Sequence, residues 1–488
     1  MTTQRLGAAG RTAIAIDSYA TVDDVVKAAQ EFEHRDPARF RLSRVGTSRA
    51  GRPMWLLSVG HGPRQILAVA GPHANEPIGH LAVLRMAERL PVENIADTWN
   101  FLLCLDPDGA RLNEPWLAGP HTLPRYFRDM FRPSPEQQPE WLPADPGEEP
   151  LPETRVLLDV LDRLRPAVQF SLHAADLGGV FMQLSRPFPG AAEVLGETAA
   201  SLGLPCDSAP FDAFHLPSPR AGTFVMSAPA VSAYDLSARS TWFYPAARHG
   251  TLTVVLEAPQ WVDESVEDSR PSADPDGARE EVVRLLRRRG ERVGALLDEA
   301  IPLLPTPLGP LAAAAVSTTE ACAVIAREWL ETPDAGATVG NAASLRISAQ
   351  RIPLRAAAML ARSLATAPAG KADRLLAVLR QLVAEWSDAF TAEAFVPDAD
   401  TGEAVPVGAA AAATSAAGAE PVPGAAADPA GRPRWVPVEV QAELQVRTML
   451  GLVGLLADPC AGDPVAGQVL DRVADQGRAG SRRSSCAK

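Results

Sequence analysis

The chain has 488 residues, a formal charge of −13 and 46% hydrophobic residues, which allows two to four domains with a sizeable core and speaks against wholesale disorder and against nucleic acid as a partner. Five scattered cysteines with no Cys-x-x-Cys pair speak against a disulfide framework and a cysteine-based zinc site. No stretch of about 18 apolar residues occurs and the first twenty residues lack an apolar run, so neither membrane span nor signal peptide is expected; the cytoplasm, of a bacterium given the Pro-, Ala- and Arg-rich composition, is the default location.

Residues 1–15 read as a flexible tail, followed by a first domain over 16–270. Its predicted elements begin with a helix at 22–32 and strands at 39–45 and 54–59, joined by the turn Ser48-Arg49-Ala50-Gly51-Arg52-Pro53. A buried strand at 66–70 stops at Gly71-Pro72, and Pro77 suits the first position of an apolar helix carrying Ile78, Leu81, Leu84 and Met86. A strand at 99–105 ends in the turn Asp106-Pro107-Asp108-Gly109. Residues 110–150 read as a long irregular loop, and a loop of that length in a compact domain is commonly functional. A helix at 151–164 precedes a strand at 167–172 that runs into His173. A strand at 179–184, a helix at 190–202 and an irregular aromatic segment at 204–250 lead to a strand at 251–256 ending at Glu257. Alternating strands and helices imply an α/β sheet with helices on its faces.

From residue 273 the pattern becomes helical, with helices predicted at 277–301, 309–331, 341–366 and 371–392. This gives a helical domain at 271–395, an Ala/Gly/Pro-rich flexible linker at 396–434 and a closing segment at 435–488 with helices at 437–456 and 463–475. The helical residues 273–488 are read as a surface for a protein partner or for self-association.

The chemistry concentrates between the strand at 66–70 and the helix after it. His73 and Glu76 stand three apart, a spacing that brings an imidazole and a carboxylate to one side of a tight turn. Zn²⁺ takes such ligands, and a catalytic zinc needs a third from elsewhere. Alone, the pair is equally a surface His beside a helix-starting Glu. His73, His173 and Glu257 each sit at or just past the end of an apolar strand, where sites gather in open α/β sheets, and this favours the metal reading.

These segments, taken together over residues 18–262, resemble the zinc carboxypeptidase family. The turn at 48–53 is similar to its Ser-x-x-Gly-Arg turn, and Gly71-Pro72-His73-Ala74-Asn75-Glu76-Pro77 to its first zinc motif, in wording closest to the bacterial amidase and deacylase branches. Asp106-Pro107-Asp108-Gly109, Ser171-Leu172-His173 and Thr253-Val254-Val255-Leu256-Glu257 resemble, in the same order, its Asn-Pro-Asp-Gly turn, third-ligand strand and catalytic-Glu strand. The resemblance implies a mixed, mostly parallel sheet with helices on both faces. It implies Zn²⁺ on His73, Glu76 and His173, Glu257 as general base and then acid, Arg128 at the oxyanion, Arg125 in substrate binding, and Tyr234 capping the substrate.

One departure bears on the substrate. The family's Asn-Arg pair for a terminal carboxylate is missing, and Glu140 stands in that region, where an acid repels a carboxylate and attracts an amine. The expected activity is therefore hydrolysis of a peptide or small amide bond, with an N-acyl amino acid deacylase or murein-peptide amidase as the alternative. An inactive scaffold binding a partner through the helical half is the reading from outside enzymology. No nucleic acid or membrane partner is expected.

Overall fold

The computed structural model describes residues 18–90, 96–143, 145, 147–226, 239–367, 370, 372–388, 390, 395–397, 404–406 and 433–457. The predicted tail at 1–15, most of the predicted linker and the helix at 463–475 lie outside these residues. The strands are β1 (Phe40–Thr47), β2 (Pro53–Val59), β3 (Arg64–Val69), β4 (Asp97–Leu102), β5 (Val168–His173), β6 (Leu177–Gly178), β7 (Phe181–Leu184), β8 (Thr223–Val225), β9 (Leu252–Glu257), β10 (Trp261–Val262), β11 (Phe395–Pro397), β12 (Ala404–Pro406) and β13 (Arg434–Trp435). The helices are α1 (Val22–Arg35), α2 (Ile78–Arg89), α3 (Pro107–Arg111), α4 (Glu114–Leu117), α5 (Leu123–Asp129), α6 (Pro152–Leu164), α7 (Ala191–Ser201), α8 (Phe243–His249), α9 (Pro275–Ala300), α10 (Pro310–Glu331), α11 (Val339–Leu364), α12 (Asp373–Asp388) and α13 (Val438–Ala457).

Eight strands form one mixed sheet in the order β1-β2-β4-β3-β5-β9-β7-β8. Its centre, β4-β3-β5-β9, is parallel, while β1-β2, β2-β4 and β7-β9 pair antiparallel. The strands β4, β5 and β9 are buried along their whole length, as a sheet covered on both sides requires. Ile66 and Ala68 of β3 enter a core shared with α2, whereas Leu67 and Val69 meet Val156, Leu157, Val160 and Leu161 of α6 on the other face. Helices therefore lie on both faces, as the sequence implied. Thr21 and Asp24 close a reciprocal cap at the start of α1, a feature worth about 1 kcal/mol.

The stretch at 110–150 is not the irregular loop its composition suggested. It folds into α4, α5 and a 3₁₀ turn at Pro135–Gln137, with Trp116, Tyr126 and Phe127 almost fully buried. Each helix is too short to show a periodic apolar face, and proline in the first turn opens each instead. Asp106 accepts from the Gly109 N–H at 2.9 Å and so caps α3, where a simple turn was expected. In the predicted linker, β11 and β12 pair antiparallel.

The four helices α9–α12 appear within two or three residues of their predicted bounds, except that α12 ends at Asp388. They share one continuous core with the sheet: Leu354, Leu360, Leu375 and Leu379 belong to the same buried cluster as Ile66 and Phe170. Helix α11 packs on α5, and α13 packs on α2, α7 and β5. Among the described residues no helix is long and apolar enough to cross a membrane.

Candidate metal centre

β3, β5 and β9 are parallel neighbours, and their carboxyl ends open on one side of the sheet. His73 and Glu76 lie in the turn after β3, where the Glu76 N–H donates to the His73 carbonyl at 3.1 Å. His173 ends β5, Glu257 ends β9, and the two stand opposite each other in register. Side chains paired across adjacent strands point to the same face, so sheet topology alone delivers Glu257 beside His173.

His73 Nδ1 lies 3.0 Å from Glu76 Oε1, His173 Nδ1 lies 3.0 Å from Glu76 Oε2, and the two Nδ1 atoms are 3.1 Å apart. All three side chains are buried. Bonds of 2.0–2.1 Å to a tetrahedral zinc would set donor atoms about 3.3 Å apart, close to this spacing. Two ring nitrogens turned towards one carboxylate, in a buried site, make a donor set that suits a cation. Glu257 Oε1 lies 3.8 Å from His173 Nδ1.

Behind the rings stands Glu140, with 1% of its surface exposed. Its carboxylate accepts from Ser171 Oγ at 2.5 Å and lies 3.3 Å from His173 Nε2 and 3.5 Å from His73 Nε2. The carboxylate on the outer nitrogen of His173 holds that ring's Nε2–H tautomer and turns its Nδ1 lone pair inward. The expected role of Glu140 in attracting a substrate amine is thus corrected: the group is enclosed and occupied by the imidazoles.

Electrostatics follow from burial and this crowding. Burial opposes ionisation of Glu140, but the two imidazoles and Ser171 outweigh it and hold its carboxyl down at about 2. Burial likewise opposes ionisation of Glu76, and His73, His173 and Arg132 outweigh it, leaving Glu76 well below the usual carboxylate range. His73 is lowered by burial and by Arg132. Burial pushes Glu257 up to about 8, and the charge of Glu76 adds to the shift.

The cation of the site is Arg132, not Arg128. Arg132 Nη1 donates to Glu76 Oε1 at 2.7 Å, and its Nη2 lies 3.3 Å from His73 Nε2. Arg128 lies on α5 with 63% of its side chain exposed and pairs with Asp129 at 2.7 Å, so the guanidinium facing the cluster is that of Arg132. Its chain neighbour Phe131 is fixed by Asn113, which accepts from the Phe131 N–H and donates to the Phe131 carbonyl, both at 2.8 Å. Arg125 is also displaced from its expected role: its guanidinium binds the carbonyls of Gly119 and Pro115 and holds the loop before α5. Tyr234 lies outside the described residues.

Asn75, Asp176 and Arg355 had no functional reading in the sequence. Asn75 sits between His73 and Glu76, and Asp176 is three residues beyond His173, so proximity was the available signal for both. Arg355, on α11, carries no local signal at all.

Residues 25–177 match the family model described as zinc carboxypeptidase. Over these residues the chain is similar to the zinc carboxypeptidase family. That family is zinc-dependent. Carboxypeptidase SOL1 of Arabidopsis thaliana is 27% identical over 177 residues, covering 33% of this chain and 34% of that protein, so the chain spans about a third of the length of this curated relative. Among solved structures, carboxypeptidase A from Helicoverpa armigera is 14% identical with a TM-score of 0.35, over 52% of this chain and 68% of that one. Bovine thrombin-activatable fibrinolysis inhibitor, solved with tick carboxypeptidase inhibitor, is 14% identical with a TM-score of 0.33, over 49% of this chain and 86% of that one.

Proposed function

We propose that this chain is a zinc-dependent hydrolase of a peptide or other amide bond. The observation that carries the reading is the convergence of His73 Nδ1, Glu76 and His173 Nδ1 on one point, with Glu257 beside it. His73, Glu76 and His173 would hold the zinc. When bound, the metal supplies Lewis-acid polarisation of the scissile carbonyl and acidifies water.

The chain's own groups do the remaining work. Glu257 takes a proton from the attacking water and returns it to the leaving amine. Arg132 presents a guanidinium to the developing oxyanion, where a preorganised donor is worth on the order of 3 kcal/mol. Glu140 and Ser171 keep the His173 imidazole in its metal-facing tautomer. With Glu140 enclosed, nothing at residues 140–143 offers a charge to a substrate terminus, so peptides and N-acyl amino acids are both substrates to be tested.

The test is Glu257→Gln, assayed on a library of peptides and acyl amino acids with and without a chelator. The expected outcome is a folded protein with undiminished zinc and no chelator-sensitive hydrolysis. Wild-type turnover in Glu257→Gln overturns the assignment.

A further inference from the structure

The helical region reaches the two ligand-bearing segments directly, at two places. Asp176, three residues past His173, is fully buried. Its Oδ1 accepts from Tyr126 Oη at 2.7 Å and from Asn75 Nδ2 at 3.3 Å. Its Oδ2 accepts from Arg355 of α11, through Nε at 2.9 Å and through Nη2. Asn75 stands between His73 and Glu76; its Nδ2 also meets Tyr126 Oη at 3.0 Å, and its carbonyl accepts from Gln260 Nε2 at 3.2 Å. One carboxylate therefore ties the His73–Glu76 turn to the His173 segment, and a guanidinium 179 residues further along the chain neutralises it. From α13, Gln445 Nε2 donates to the carbonyl of His173 itself at 2.8 Å.

An enclosed carboxylate stripped of its cation either protonates or draws in water. Protonation removes the charge that Arg355 answers, and a water competes with Asn75 and Tyr126 for Oδ1. Either change loosens the spacing between His73, Glu76 and His173, while leaving the donors chemically intact. Neither Arg355 nor Gln445 touches a donor atom, so each acts through another residue.

We infer that Arg355, through Asp176, and Gln445, through the His173 carbonyl, are positioning residues of the metal centre. The helical region thereby sets the affinity of the site for zinc. This rests on the zinc reading above, and zinc uptake by the wild type tests that reading separately.

The experiment uses full-length, metal-free protein. Zinc affinity is measured by competition with a chromophoric chelator, and ligand geometry by the visible absorption of the Co²⁺-loaded protein. The variants are Arg355→Met, Arg355→Lys and Gln445→Leu. Arg85→Met is the control, because the Arg85–Glu439 pair joins α2 to α13 without a bond to the ligand segments. Arg355→Met is expected to lose on the order of 10-fold to 100-fold in zinc affinity and to change the cobalt spectrum, as outlying supports of metal ligands do. Arg355→Lys keeps the charge but not the two-pronged contact and recovers part of the loss. Gln445→Leu weakens zinc in the same direction, and Arg85→Met leaves affinity and spectrum as in wild type. Should Arg355→Met fail to fold by circular dichroism, the double variant Asp176→Asn with Arg355→Met leaves no lone buried charge and carries the same expected loss. Wild-type affinity and spectrum in Arg355→Met (or the double variant) and in Gln445→Leu overturn the inference, as does an equal loss in Arg85→Met. A wild type that takes up neither ion overturns the metal reading, and this one with it.

Discussion

His80 makes the protein's stability fall in acid. It lies on the buried side of α2 with 2% of its surface exposed, its Nδ1 3.3 Å from the Ala20 carbonyl. Burial lowers its pKa from 6.5 to about 4, and the Ala20 contact only partly offsets this. Between those values the unfolded chain binds a proton that the folded chain refuses. The neutral ring's contribution is therefore fully present above pH 6.5 and is lost as the pH falls through 4. At 1.36 kcal/mol per unit, the loss between pH 7 and pH 4 is about 3 kcal/mol, a large part of a typical stability of about 5–15 kcal/mol. The assay is urea unfolding of wild type and His80→Leu with a chelator present, at both pH values. His73 and His173 titrate in both proteins, so the gap between the two curves isolates His80. That gap is expected to move by about 3 kcal/mol in favour of the variant at the lower pH. A gap equal at pH 7 and pH 4 refutes the reasoning.

Three further substitutions separate groups that the sequence could not. Arg132→Met is expected to lower kcat by roughly 10²-fold to 10³-fold, while Arg128→Met stays near wild type; the reverse order would return the oxyanion role to Arg128. Glu140→Gln is expected to weaken zinc binding by about 10-fold to 100-fold through loss of the imidazole tautomer, read by chelator competition; unchanged affinity would leave Glu140 without the role assigned to it.

The central strands were legible because each is short, apolar and closed by a turn signal or a polar residue. Ile66 to Ala70 before Gly71-Pro72, and the runs into His173 and Glu257, needed no tertiary information. Since open α/β sheets place their sites beyond strand ends, three chemically apt residues at three such ends were legible as one site. Arg132 was missed because a short helix intervenes. α5 ends at Asp129, so Arg128 takes the helix's outward side while Arg132, four residues on, enters the site. Glu140 was legible as important but its direction was not, since an acid pointing at substrate and one pointing at imidazoles read alike. The pairing of Asp176 with Arg355 spans 179 residues, and no local pattern announces a contact of that kind.

The docking of α13 on α2 and β5 also orders events in time. Leu444, Val446, Met449 and Leu452 are enclosed there. A nascent chain that has just released Glu257 must still wait for some 200 residues before this helix emerges, on the order of ten to forty seconds at ordinary ribosomal speed. Throughout that interval the apolar flank of α2 lacks its cover, and the carbonyl of His173 has the Ala258 N–H but not yet the Gln445 amide. A helix that leaves the ribosome late is thus what closes the first fold to be made.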